Sequence, residues 1–401
     1  MKSMIATKAK NTDSFVSSTS PLPLLTNHLN MSEPPANFIN SPASMAIFAA
    51  LFLLPIISPT AVGSILHPNS AVFDQRISDS PNGFQSRGIN AGLDAKLHLA
   101  EKHPRFIAVR KDGKGDFKTI SDAIDSIPQK NRQRVVIRIG PGVYREKVKI
   151  ERTKPFVTFS GDPKAMPTIT FAGTAAEYGT LDSASVIVES HYFVASNIIF
   201  ENSAPAPVLG VKGAQAVALR ISGDKAAFYR CKFLGYQDTL CDDKGRHFFK
   251  DCFIQGTVDF IFGNARSIYL NCVINSVANG ITYITAQARS KIADKSGFAF
   301  VHCKVTGTGS AFLSRAWKES SRVVFAYTYM DSVVNPRGWD DRGFKERQGT
   351  VFYGEYKCSG PGASTSKRVS YAKLLTDKQA KPFLSMTFIR GKTWILPRPQ
   401  L

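Results

Sequence analysis

From Phe106 onward the chain alternates short apolar, β-rich runs with Gly, Asn and Asp punctuation. Val135-Val-Ile-Arg-Ile139, Phe156-Val-Thr-Phe159 and Ser185-Val-Ile-Val188 are typical. Runs of this length, bounded by turn residues, predict strands. Ile120 to Ile127 is an exception and is predicted to form a short helix. A second pattern lies over the first. Phe228-Tyr-Arg-Cys231, Phe249-Lys-Asp-Cys252, Tyr269-Leu-Asn-Cys272 and Phe300-Val-His-Cys303 each place an aromatic residue three positions before a cysteine, and successive cysteines are 21, 20 and 31 residues apart. A repeat of roughly 20 residues made of short strands predicts an all-β solenoid, a parallel β-helix. Each turn of chain is then a rung, paired with its neighbours as parallel strands about 4.8 Å apart. The interval of 31 residues reads as a rung with an insertion. A β-sandwich is the alternative, although its hairpins would bring turns about every 8–12 residues.

The amino-terminal part is different in kind. Met45 to Ile57 is an uncharged apolar run of 13 residues. A membrane span needs about 20. The run fits the apolar region of a secretory signal, with Ala61-Val62-Gly63 as a small-residue cleavage site, and Pro55 opposes a core helix. Residues 1–66 are expected to be a presequence, residues 67–104 a linker without periodicity, and residues 105–396 the working domain. The 44 residues before the run exceed an ordinary signal's leading region, so Met31 and Met45 are candidate starts.

Charge narrows the partner. The chain has 51 Lys and Arg against 31 Asp and Glu, a formal charge of +20. The presequence holds only three lysines against Asp13 and Glu33, so the basicity belongs to the exported part. Such a surface attracts a polyanion: nucleic acid, an anionic membrane or an acidic polysaccharide. No C-x-x-C, H-E-x-x-H or G-x-S-x-G occurs, so neither a zinc site nor a serine-hydrolase elbow has support. The repeat cysteines are expected at equivalent inward positions. Buried thiols suit a core, but in a secreted chain some should oxidise. Cys272 with Cys303 is the favoured pair, and Cys231, Cys241, Cys252 and Cys358 are left unassigned.

Indexing from the cysteines exposes candidate chemistry. Asp238 lies seven residues after Cys231 and Asp259 seven after Cys252, so the two fall at the same point of successive rungs. Gln215 lies 22 residues before Gln237, which extends the stripe by one rung. Two stacked carboxylates cannot both ionise cheaply. One is pushed toward a raised pKa while the other stays charged. That division supplies an acid and a nucleophile, and neighbouring amides can donate to an oxyanion. A structural ladder or a calcium site is the competing explanation, weakened by the apolar setting of Val258-Asp-Phe-Ile-Phe-Gly263.

These segments resemble the signatures of plant pectin methylesterases. Gly142-Val-Tyr-Arg-Glu146, Gln215-Ala-Val-Ala-Leu219, Gln237-Asp-Thr-Leu240, Asp259-Phe-Ile-Phe-Gly263, Tyr353-Gly-Glu-Tyr356 and Gly360-Pro-Gly-Ala363 carry the resemblance, over roughly residues 105–396. It implies a right-handed parallel β-helix that hydrolyses methyl esters of homogalacturonan to pectate and methanol in the cell wall, without metal or cofactor. It implies Asp259 as nucleophile, Asp238 as general acid and base, Gln237 and Gln215 as oxyanion donors, and Arg315 as the group that fixes Asp259. Trp317 matches a substrate-stacking tryptophan, and Ser185 stands where a substrate-contacting threonine is common. The implied partners are methylesterified homogalacturonan and a proteinaceous pectinesterase inhibitor, acting on a monomer, with no nucleic acid. Two departures stand out. The family's Leu-Gly-Arg-Pro-Trp is here Leu313-Ser-Arg-Ala-Trp317, which removes the backbone constraints of Gly and Pro. The family's frequent inhibitor-like pro-domain is not apparent in the residues before the catalytic region.

A polygalacturonase would share fold and polymer but needs Gly-His-Gly and Arg-Ile-Lys, which are missing. A non-catalytic wall-binding β-helix and a nucleic-acid binder also suit the charge. Neither needs the Asp pair, and no nucleic-acid motif is present.

Overall fold

A computed structural model describes residues 92–208 and 210–396. The segments Met45–Ile57 and Ala61–Gly63 lie outside the described residues. Among those described, the strands are parallel and each returns one rung along the axis. The first face is a sheet of eleven strands, from Arg105–Val109 and Val135–Ile139 through Ala226–Tyr229, Arg246–Lys250 and Arg266–Leu270 to Phe352–Tyr356 and Lys373–Leu374. The other two faces share one sheet. One rank runs from Val143–Arg145 to Phe253–Gly256, the other from Val148–Ile150 to Ile261–Gly263, and the long strand Val273–Gln287 pairs with both. This is a parallel β-helix.

The aromatic-cysteine repeat is its internal ruler. Phe228, Phe249, Tyr269, Phe300 and Phe325 stack in register inside the solenoid, with successive ring centroids 4.7, 4.6, 4.5 and 4.5 Å apart. That matches the spacing of neighbouring parallel strands, so one aromatic per rung fills the core continuously. Two residues later the chain turns the corner through a left-handed residue: Arg230, Asp251, Asn271 and His302 have φ of 50°, 56°, 54° and 53°. The cysteine that follows points inward.

These thiols are not paired. All six cysteines are free, including Cys272 and Cys303, contrary to the expected bridge. Each ladder thiol donates to carbonyls instead: Cys272 Sγ lies 3.4 Å from Leu270 O, and Cys303 Sγ lies 3.3 Å from Tyr269 O. In-register parallel stacking holds successive Cβ atoms at the strand spacing of about 4.8 Å, beyond the roughly 3.8 Å a disulfide prefers. Cys358 joins the same ladder, since Ser359 continues it by donating to Thr328 O at 3.0 Å. Cys241 faces another cluster, with Ala184, Ile187, Val217, Phe262 and Ala286.

The predicted helix forms over Ile120–Asp125, capped by Thr119. Glu146, from the Gly-Val-Tyr-Arg-Glu motif, accepts from Ile120 N and Ser121 N at 3.0 and 2.9 Å, so this motif closes the end of the solenoid. The stretch read as linker contains a helix, Ala95–Ala100, whose Leu97 and Ala100 are buried against the first sheet's outer cluster. Six residues with two apolar contacts are too short to show a helical period.

Candidate active site

The longer rung explains where the site opens. Gly256 pairs with Ser276 but Ile261 pairs with Thr285, so four extra residues bulge out near Val277–Ile281. Ile281 is left exposed at the lip. Directly across the sheet, Leu240 pairs with Ile261, which carries Asp238 onto Asp259 in adjacent rungs. Asp238 N donates to Val258 O at 3.0 Å, and Asp259 N donates to Tyr283 O at 2.8 Å. Both aspartates are buried and both adopt left-handed backbone, with φ of 65° and 52°. Asp and Asn tolerate that region better than most residues, and strain of this kind recurs at functional sites.

Arg315, at the end of the strand Lys304–Arg315, closes on Asp259. Its Nε lies 2.8 Å from Oδ1 and 3.0 Å from Oδ2, and its Nη2 donates to Oδ2. Tyr283 lies beneath this guanidinium, 5.0 Å from it, and is itself stacked on Phe312. Burial opposes charge on Arg315, but the field and hydrogen bonds of Asp259 outweigh it and raise its pKa. Asp238 is pushed well above the ordinary carboxylate range, first by burial and then by the charge of Asp259, with Arg315 pulling the other way. Burial and its neighbour thus favour the protonated form of Asp238, while Arg315 grips both oxygens of Asp259.

Gln237 is half-buried beside them. Gln215 is buried one rung away, and Ala216 N beside it donates to Gln237 O at 3.1 Å, which keeps Gln215 next to Gln237 along the stripe. Trp317 is half-buried near Arg315, whose guanidinium lies 5.6 Å from its ring. Ser185 is not where it was expected. It is 0% exposed, and its hydroxyl donates to Glu201 O at 2.6 Å and accepts from Phe171 N at 3.1 Å. A hydroxyl turned inward to tie two strands cannot touch a polymer.

Three residues with a place around the site were not singled out from sequence. Tyr283 supports Arg315, Arg342 lies over the Trp317 ring at 4.3 Å, and Glu355 is buried in a fork with Arg368 while accepting from Trp339 Nε1 at 2.9 Å. Glu355 belongs to the Tyr-Gly-Glu-Tyr segment, so that signature could have flagged it as a buried ion-pair position. Tyr283 and Arg342 carry no motif of their own.

Two buried aspartates stacked on one face of a β-helix, one of them in an arginine clamp, make up the site of a carboxylic ester hydrolase fold. The chain belongs to the pectinesterase family, whose model matches residues 106–392. It is 58% identical over 292 residues to pectinesterase 63 of Arabidopsis thaliana, covering 73% of this chain and 86% of that one. Among solved structures it is similar to pectin methylesterase from carrot, with a TM-score of 0.68 and 36% identity over 72% of this chain and 94% of that chain. It is also similar to a pectin methylesterase in complex with a hexasaccharide, with a TM-score of 0.62 and 29% identity over 72% of this chain and 98% of that one.

Proposed function

We propose that this protein removes methyl esters from homogalacturonan through Asp259 and Asp238. The observation that carries the reading is the unequal setting of the pair: Arg315 grips Asp259 in a fork, while Asp238 is buried beside it with its pKa pushed up. An Asp259 carboxylate oxygen attacks the ester carbonyl carbon, and Gln237 and Gln215 donate to the oxyanion as it forms. The bond to methoxide breaks, Asp238 gives its proton to the leaving oxygen, and methanol departs from an acyl-enzyme. Asp238, now a base, takes a proton from water. The hydroxide attacks the acyl carbon and releases the galacturonate carboxylate and free Asp259. The resemblance in site residues and the hexasaccharide complex of the relative support this choice of polymer.

The test is methanol release from highly methylated pectin by the wild type and by Asp259→Asn. Reducing ends without methanol would instead mean chain cleavage, and binding without either product would mean a wall-binding protein. We further propose export to the cell wall, on the strength of the uncharged run Met45–Ile57 and its small-residue exit. A fluorescent fusion to residues 1–66 that stays cytosolic from every start codon would refute that.

A further inference from the structure

We propose that a cavity at another corner of the solenoid is a non-catalytic binding site for de-esterified galacturonan, which holds the enzyme on stretches of polymer it has already processed. The choice of polymer rests on the proposed reaction; the cavity itself does not. Asp238 and Asp259 stand between the two ranks of the second sheet, whereas Phe156, Tyr192 and Lys225 stand in register where successive turns of chain enter the first sheet. Phe156 N donates to His191 O and Tyr192 N to Asp224 O, each at 3.0 Å, and left-handed φ of 64°, 58° and 66° turn the chain at Phe156, Tyr192 and Lys225. Beside this corner, the helix Ala95–Ala100 and the loop that follows the helix Ile120–Asp125 wall off a cavity of about 620 Å³. Pockets for small ligands span roughly 300–1,000 Å³.

Its floor is apolar and its rim is cationic. Phe156 and Tyr192 stack with ring centroids 4.8 Å apart and both are buried, so they form a rigid floor and recognition falls to the rim. Lys96, Lys130 and Arg132 stand exposed around it, and no carboxylate among the described residues pairs with any of them. Asn131 fixes their loop by donating from Nδ2 to Gln133 O at 2.6 Å and to Pro155 O at 2.7 Å. Asp224 is the one acid lining the cavity, and Arg246 already grips it, with Nε 2.9 Å from Oδ1. Lys225 is likewise engaged by Asp94. His191 adds a directed donor, because its Nδ1 accepts from Asp224 N at 2.9 Å and the neutral ring then carries its proton on Nε2. Burial first, then Arg152 and Lys225, hold its pKa below the ordinary value against the pull of Asp224. The cavity thus sets a positive field over an apolar floor and leaves charges for a ligand. De-esterified galacturonan offers an apolar sugar face and a carboxylate on every unit, which suits both. A methyl ester masks that carboxylate and forfeits the charge-assisted bonds.

The probe is a de-esterified galacturonate hexamer, and the readout is the NMR signal of the His191 ring protons, assigned by its loss in His191→Gln. The hexamer is expected to shift that signal saturably in the wild type. Lys130→Gln with Arg132→Gln, both on an exposed loop outside the catalytic machinery, should weaken this binding about tenfold, the size of one charge-assisted hydrogen bond. Methanol release from short, fully methylated oligomers should stay unchanged in that variant. Lys367→Gln with Lys378→Gln removes the same charge from exposed positions elsewhere and should leave the binding as it was. An unmoved His191 in the wild type overturns the proposal. So does a fully methylated hexamer that binds as tightly, or a loss as large from the Lys367 and Lys378 changes. A single-stranded hexanucleotide that shifts His191 as far at the same concentration would assign the cavity to phosphate backbones and overturn the galacturonate reading. A shift of His191 by the hexamer without methanol release from any pectin supports the cavity and counts against the catalytic reading, so the two fail separately.

Discussion

Arg315 reaches across 56 residues of sequence to close on Asp259, with Nε 2.8 Å from Oδ1. The fork holds a carboxylate that would otherwise sit buried beside a second carboxyl, and both oxygens stay in one orientation. Lysine has one point charge and cannot grip both. Arg315→Lys is expected to lower kcat by about 100-fold through a misplacement of about 1 Å, with polymer binding measured by co-sedimentation largely kept.

The two aspartates are best tested as asparagine, because each has left-handed backbone that asparagine accepts and alanine resists. Asp259→Asn is expected to lower methanol release by about four orders of magnitude or more. Asp238→Asn should cost about 10²–10⁴-fold, the range of general acid–base catalysis. Because the pKa of Asp238 is raised, its acid form is lost as pH climbs through that folded value. Wild-type turnover should fall there, and the residual turnover of Asp238→Asn should lack that limb. A pH–rate profile unchanged by the substitution would remove Asp238 from the mechanism.

Ser314 and Ala316 stand where the family pattern has Gly and Pro, yet the segment is tied down by other means. Ser314 Oγ donates to Thr285 O at 3.2 Å, and Ala316 N donates to Asp340 O at 3.0 Å. Proline at 316 would delete that second bond. The double change Ser314→Gly with Ala316→Pro is expected to leave kcat no higher and to cost about 1–3 kcal/mol of stability, read by chemical denaturation.

His247 should make stability depend on pH. Its Nδ1 faces Asp242 Oδ1 and its Nε2 faces Gly223 O at 2.8 Å, so both ring nitrogens meet acceptors, and Tyr269 donates to the other Asp242 oxygen at 2.8 Å. Burial disfavours the imidazolium, but Asp242, Gly223 O and Asp224 together raise its pKa above 6.5. That contribution is complete below the ordinary value and is lost as pH rises through the folded one. Melting temperature should decline in the wild type as pH rises above the ordinary histidine value through the raised one. In His247→Gln it should be flat there, and unfolding free energy should be lower throughout by about 3–5 kcal/mol, the cost of breaking a buried pair.

The thiol ladder predicts that six cysteines titrate with a thiol reagent after unfolding without reductant. The five buried ones should stay silent in the native protein. Fewer than six would indicate a bridge that the in-register stack disfavours.

What could be read from sequence is what a solenoid writes at fixed intervals. The aromatic–cysteine spacing revealed the rung, and the same spacing placed Asp238 over Asp259, because a parallel ladder converts equal offset along the chain into adjacency in space. Ser185 and the cysteines show the limit of that arithmetic. Spacing says which residues share a column, but the left-handed turns and the pleat decide which way each side chain points and how far apart neighbouring Cβ atoms remain. The inward hydroxyl of Ser185 and the unpaired thiols follow from that local geometry. Arg315 on Asp259, Tyr283 beneath it and Arg342 over Trp317 join residues from different rungs after an insertion had broken the period. Only the folded chain could decide their contacts, since once the repeat is interrupted, sequence separation no longer measures distance.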